Sequence, residues 1–227
     1  MIENLPAFIS IVFLLTTVFT IYFFYKAANF SKLTLNVLII WLSIQALLSI
    51  KGFYTNTTSI PPRFLLMILP PFTGIIILFS TKNGRKYLDT LNSKYLVLLH
   101  SVRVPVELVL FWLFIEKKIP QLMTFEGRNF DILMGVSAPI IFSIAFRFNK
   151  IKRNLLLVWN IIGLALLANI VVLAILSAPS PLQKLAFDQP NIAVQYFPFN
   201  FLPSVVVPLV LLSHLASIRS LLKRNRL

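Results

Sequence analysis

Seven stretches of this chain are almost wholly apolar, residues 6–25, 33–50, 64–80, 95–115, 130–146, 155–176 and 201–217. Each is close to the roughly 20 apolar residues that a helix needs to cross a bilayer. A helix is the natural choice there, because hydrocarbon offers a backbone no partner but itself. The segments between the runs are short, so the 227 residues are expected to form one all-α, seven-helix transmembrane domain. A net charge of +14 would suggest nucleic acid in a soluble protein. Here 58% of the residues are hydrophobic and 12% charged, and most basic residues fall in loops between the apolar runs, so nucleic acid is not an expected partner. The absence of Cys excludes disulfides, thiolate chemistry and Cys-based metal sites. The first run lacks the basic flank and small-residue cleavage site of a signal peptide, and a retained helix is expected.

Lys and Arg set the expected orientation, because cytoplasmic loops carry an excess of them. Lys26, Lys32, Lys82, Arg85, Lys86, Lys94, Arg147, Lys150, Lys152, Arg153, Arg219, Lys223, Arg224 and Arg226 fall on one side. Lys51, Arg63, Lys117, Lys118, Arg128 and Lys184 fall on the other. The bias predicts an external amino terminus and a cytoplasmic carboxyl terminus, in a cell membrane such as the bacterial cytoplasmic membrane.

The second and sixth runs echo each other. "KLTLNVLIIWLSIQALL", from Lys32, aligns with "KIKRNLLLVWNIIGLALL", from Lys150, matching Asn36 with Asn154 and Trp41 with Trp159. The third and seventh runs echo more weakly, matching Pro71 with Pro208. The pattern predicts a parallel repeat of helices one to three and five to seven around a fourth. In layout this resembles the SWEET sugar transporters, and also the seven-helix rhodopsin plan. Their signatures are missing. The seventh run has no Lys to hold retinal, and the one Pro-Gln pair, Pro120-Gln121, lies in a loop. The fragments "VRVPVE" and "TFEGRNFDIL" resemble uncharacterised bacterial seven-helix integral membrane proteins. That resemblance implies a membrane bundle and supplies no site residues.

Three ionisable residues interrupt the fourth run, "HSVRVPVELVLFWLF". His100, Arg103 and Glu107 are spaced i, i+3, i+7, which puts them on one helical face. Intramembrane charges cost roughly 2.5–3.5 kcal/mol each at a helix centre, so the face is expected to turn inward. Arg103 and Glu107, four apart, are expected to pair, either as a structural ion pair or as part of a path. Pro105 removes a backbone donor from Ser101, so a bend or a water is expected there. His214, in the seventh run, is expected at the depth of His100. The two histidines serve as packing or proton-relay groups rather than metal ligands, because Glu107 lies two turns from His100.

Glu126, Arg128 and Asp131 cluster where the fifth run begins, as an outer mouth or an ordinary solvated helix start, with Asn129 or Asp131 as its cap. The last external loop carries Phe187, Tyr196, Phe197 and Phe199, an interfacial belt or a lid. Pro70, Pro71, Pro105, Pro139 and Pro208 sit near the middle of their helices, where kinks make room for a central cavity. Gly135, Ser137 and Ala138 allow close helix approach, and Gln45, Asn160 and Asn169 add amides to the interior. The leading expectation is a transporter or permease of a small polar or anionic solute, with Arg103 as anion contact and Glu107 as proton-coupling group. A membrane-embedded sensor is the second reading. An intramembrane enzyme acting on lipid, with Glu107, His100 or His214 as acid and base, is the third. Expected partners are the bilayer, a small solute or ligand, and further copies of the chain. No cofactor or metal is expected.

Overall fold

The seven apolar runs are helical along most of their length, with 3₁₀ or π-helical turns in the fourth, fifth and seventh. The structure is a computed structural model, which describes residues 2–147 and 153–223. Lys150, Lys152, Arg224 and Arg226, assigned above to the basic side, lie outside the described residues. The described elements are α1 (Ala7–Ala27), α2 (Lys32–Ile50), α3 (Leu65–Ser80), α4 (Lys82–Thr90), α5 (Ser93–Leu99), α6 (Arg103–Ile115), α7 (Ile132–Phe142), α8 (Arg153–Ser177) and α9 (Val207–Lys223). A 3₁₀ turn, His100–Val102, joins α5 to α6. π-Helical turns, Ser143–Arg147 and Leu202–Val206, follow α7 and precede α9.

Among the described residues, five helical stretches are long and apolar enough to cross a membrane, Ala7–Ala27, Lys32–Ile50, Ser93–Ile115, Arg153–Ser177 and Leu202–Lys223. The third run gives only the 16 residues of α3, and the fifth gives the shorter Ile132–Phe146. The outward faces are apolar: Ile11, Val18, Val37, Ile40, Ile161 and Val172 are each more than half exposed. Such a surface suits hydrocarbon and would be a liability in water.

α4 corrects the reading of 81–94 as a loop. It has no apolar run, so hydropathy does not reveal it. Thr81 ends α3 and starts α4 at once, its Oγ1 accepting the Gly84 N–H at 3.1 Å, and the two helices meet at 95°. α4 buries Gly84 and Leu88 and leaves Lys82 and Lys86 exposed.

Polar contacts tie the loops into two ends. At the basic end, Asn29 Nδ2 donates to Thr90 O, the Asn92 N–H to Ala27 O, and Arg153 Nε to Leu221 O. Asp89 receives Arg219 at 2.9 Å and Lys223 at 2.8 Å. At the opposite end, Gln189 Nε2 donates to Phe114 O and Ile119 O, Ser49 Oγ to Gln195 O, and Asn169 Nδ2 to Arg128 O. The long loop after α8 therefore packs inward. Phe199 is buried, while Phe187 stays exposed.

The helix breaks follow the prolines. Pro105 cannot donate to Ser101 O, and the helix tightens to the 3₁₀ turn at this point. Pro208 likewise leaves Ser204 O free, and Trp41 Nε1 donates to it at 2.8 Å. Trp159, aligned above with Trp41, donates instead to Ser137 Oγ on α7 at 3.0 Å. The two tryptophans thus keep unlike company.

Candidate functional site

The charged face of α6 turns inward. His100, Arg103 and Glu107 are each at most 2% exposed. α7 reaches this face through Gly135. A Cβ there would stand 2.7 Å from Val104 N, so only glycine lets the two backbones approach this closely. One turn earlier, Asp131 is thereby set beside Arg103, with Asp131 Oδ2 at 3.1 Å from Arg103 Nε. The ion pair is therefore Arg103–Asp131, in place of the expected Arg103–Glu107.

Glu107 has a different partner. Its Oε1 accepts from Asn129 Nδ2 at 2.6 Å, and the same amide nitrogen also donates to Met123 O at 3.1 Å. Asn129 Oδ1 accepts the Asp131 N–H at 3.2 Å. Asn129 thus holds the Glu107 carboxylate and the backbone of Asp131 at once. Of the two residues expected to cap the fifth helix, Asn129 bonds a backbone N–H just before its start and Asp131 does not cap it. Asp131 occupies the cap position, but its side chain makes no capping bond and turns to Arg103 instead. The pull of a buried guanidinium outweighs one capping bond.

On the other side of Arg103 the set continues into α8 and α9. Arg103 Nη2 donates to Gly163 O at 3.3 Å. The His100 and His214 rings stack, with centroids 3.8 Å apart and planes 24° from parallel, and Trp159 meets His100 edge-on. The two histidines do lie at one depth. Gly163 makes room for them, since a Cβ on it would fall 2.3 Å from His214 Cε1. Asn160 Nδ2 donates to Leu156 O, which leaves its Oδ1 for His214 Nδ1 at 2.9 Å. Against that amide oxygen Nδ1 is the donor, so in the neutral ring the lone pair of His214 is at Nε2.

Six residues, from α9, the 3₁₀ turn, α6 and the segment that leads into α7, thus form a buried series: His214, His100, Arg103, Asp131, Glu107 and Asn129. Several of its polar atoms have no hydrogen-bond partner, namely both His100 nitrogens, His214 Nε2, Arg103 Nη1, Glu107 Oε2 and Asp131 Oδ1. Buried polar atoms are nearly always paired, so such a concentration marks a place where a proton, a water or a ligand belongs. A cavity of about 70 Å³ adjoins it, lined by Glu107 and Asp131 with Val106, Leu110, Val194 and Leu202. It is large enough for water. The charge count is uneven, with one guanidinium against two carboxylates. One proton on either carboxylate makes the trio neutral, and its release leaves a buried negative charge.

The outer-mouth residues separate. Asp131 joins the buried series, whereas Glu126 and Arg128 stay exposed. Among the described residues, no three His, Asp or Glu side chains converge as metal ligands. Two contributors escape a reading by charge, Asn129 as an interior partner and Gly163 as a gap. The signal for Gly163 is its place one turn from Asn160, where a small residue beside a buried amide lets another helix's side chain in.

Residues 61–222 match a family described as Domain of unknown function (DUF8737). The chain belongs to this family. The DUF8737 match covers the whole buried series and leaves α1 and α2 outside it. No curated protein and no solved structure matches the chain.

Proposed function

We propose that the chain is a multi-pass membrane transporter that couples the movement of a small anionic solute to protons. The buried series of ionisable groups, several of whose polar atoms lack a hydrogen-bond partner, carries this reading. α3 and Ile132–Phe146 complete seven crossings with the five long helices, and α4 lies along the basic, cytoplasmic surface. Glu107 is the proton-coupling group. Arg103 is the anion contact, held by Asp131 when no solute is present. A proton that Glu107 takes up and passes to Asp131 weakens that hold and frees the guanidinium for an incoming anion, so proton and anion enter together. The small cavity beside the carboxylates and the inward-packed loop over it correspond to an occluded state. The stacked histidines, with the His214 lone pair, continue the proton route toward the basic end.

The test is solute-driven proton movement in liposomes holding the purified chain and a trapped pH-sensitive dye. Small carboxylates and inorganic anions are supplied outside in turn. The proposal expects at least one of them to acidify the lumen, and Glu107→Gln to abolish the signal. Dye traces equal to those of empty liposomes for every anion would contradict it.

A further inference from the structure

A second space in the molecule has a different chemistry. A cavity of about 640 Å³ lies between α2, α3 and α9, with α4 at one end. This is within the roughly 300–1,000 Å³ of small-molecule sites. It arises because α2 stands off from the bundle and buries only Gln45 and Ser49 along its length. Polar bonds pin its two ends. Tyr54 Oη donates to Gln45 Oε1 at 2.7 Å and Asn200 Nδ2 to Gln45 O at 3.0 Å, while at the basic end the Thr34 and Tyr87 hydroxyls meet at 3.1 Å. Between those pins α3 presents Pro70, Pro71 and Gly74. A Cβ on Gly74 would meet nothing within 4 Å, so the helix withdraws from the space it borders.

The walls are graded. Val37, Leu38, Ile75, Val205 and Leu209 are apolar, whereas Thr34, Asn83 and Tyr87 put polar groups at the basic end. Lys82 and Lys86 adjoin Asn83 and Tyr87 in sequence, Lys32 opens α2 two residues before Thr34, and all three are exposed. An apolar trough with a hydroxyl and amide mouth flanked by cations matches one kind of molecule, a chain of hydrocarbon ending in an anionic head. We infer that this groove is a specific site for an anionic glycerophospholipid of the leaflet at the basic end. An acyl chain lies against Gly74 and Trp41, and the phosphate sits among Thr34, Asn83, Tyr87 and the three lysines.

The test uses the full chain, delipidated in detergent. It is titrated with phosphatidylglycerol or phosphatidylcholine carrying identical brominated acyl chains, which quench tryptophan fluorescence on contact. Of the three tryptophans only Trp41 is on the groove wall, and the part of the quenching that Trp41→Phe removes reports the site. Phosphatidylglycerol is expected to quench at roughly tenfold lower concentration than phosphatidylcholine, as a few lysines near a lipid phosphate would give. Lys32→Gln/Lys82→Gln/Lys86→Gln should erase that preference and keep the quenching. Gly74→Phe, whose ring enters open space, should keep the melting temperature and lose the quenching. Equal quenching of the wild type by the two lipids would overturn the site, and that comparison needs no variant to fold. A Gly74→Phe chain that melts and quenches like the wild type would overturn it too. So would a native mass spectrum showing dimers, with no lipid retained.

Discussion

A guanidinium withdrawn from water needs a carboxylate within reach, and Asp131 supplies one to Arg103 at 3.1 Å. Glu107 is tied to Asn129 instead, so the two carboxylates of the series should respond differently to removal of charge. Asp131→Asn leaves Arg103 buried without its counter-ion and is expected to cost about 3–5 kcal/mol, read as a lowered melting temperature in detergent. Asp131→Leu with Arg103→Met should recover much of that loss. Glu107→Gln keeps the oxygen that accepts from Asn129, and its cost in stability is expected at about 1 kcal/mol, the scale of one hydrogen bond. If the two single variants melt alike, the assignment of partners is wrong. Gly163 gives a third expectation at this scale. Gly163→Ala puts a methyl group into the His214 ring and should cost about 1–3 kcal/mol by overpacking, whereas Gly74→Ala should leave stability nearly unchanged. The i, i+3, i+7 spacing was enough to place His100, Arg103 and Glu107 on one buried face, because helix geometry is local. The partner of Arg103 was not legible, because Asp131 arrives on another helix whose approach depends on Gly135 meeting Val104.

At the scale of elements, the seven apolar runs were legible because hydropathy decides burial in lipid without reference to neighbours. α4 was not, since its nine residues pack only two small or aliphatic side chains and otherwise face outward. What holds α4 is Asp89, which receives two bonds from Arg219 and one from Lys223 at the end of α9. The Arg219 hydrogen bonds, then Lys223, hold the Asp89 carboxyl below its ordinary range against a smaller opposing effect of burial. A lowered folded-state value means that this contribution is fully present above the unfolded carboxylate value, near 3.8, and fades as pH falls through the lower folded one. The cluster is partly exposed, so its worth is about 0.2–1 kcal/mol and is screened by salt. Asp89→Asn should therefore lower the melting temperature slightly at neutral pH and low salt. The difference should shrink at high salt or in strong acid, and one that grows there would contradict the clasp. The echo between the second and sixth runs is weaker guidance. Trp41 borders the lipid groove and bonds to Ser204, whereas Trp159 packs on the histidines and bonds to Ser137.

For the whole molecule, the hydrogen-bonded ends agree with the division of basic residues between loops. An orientation with the basic end in the cytoplasm is what we propose from that division. A reporter fused after Leu227 should be active only on the cytoplasmic side, and activity only outside would reverse every assignment of leaflet made above. We propose that the buried series exchanges protons with the surrounding solution although its members are almost fully shielded from it. Infrared difference spectroscopy on the chain in lipid, cycled between alkaline and acidic buffer, observes the carbonyl stretch of a protonated carboxyl group directly. The account predicts such a band in the wild type, its loss in Glu107→Gln, and an altered band in Asp131→Asn. A wild-type spectrum with no buried carboxyl band that responds to pH, or a band unchanged in Glu107→Gln, would contradict it.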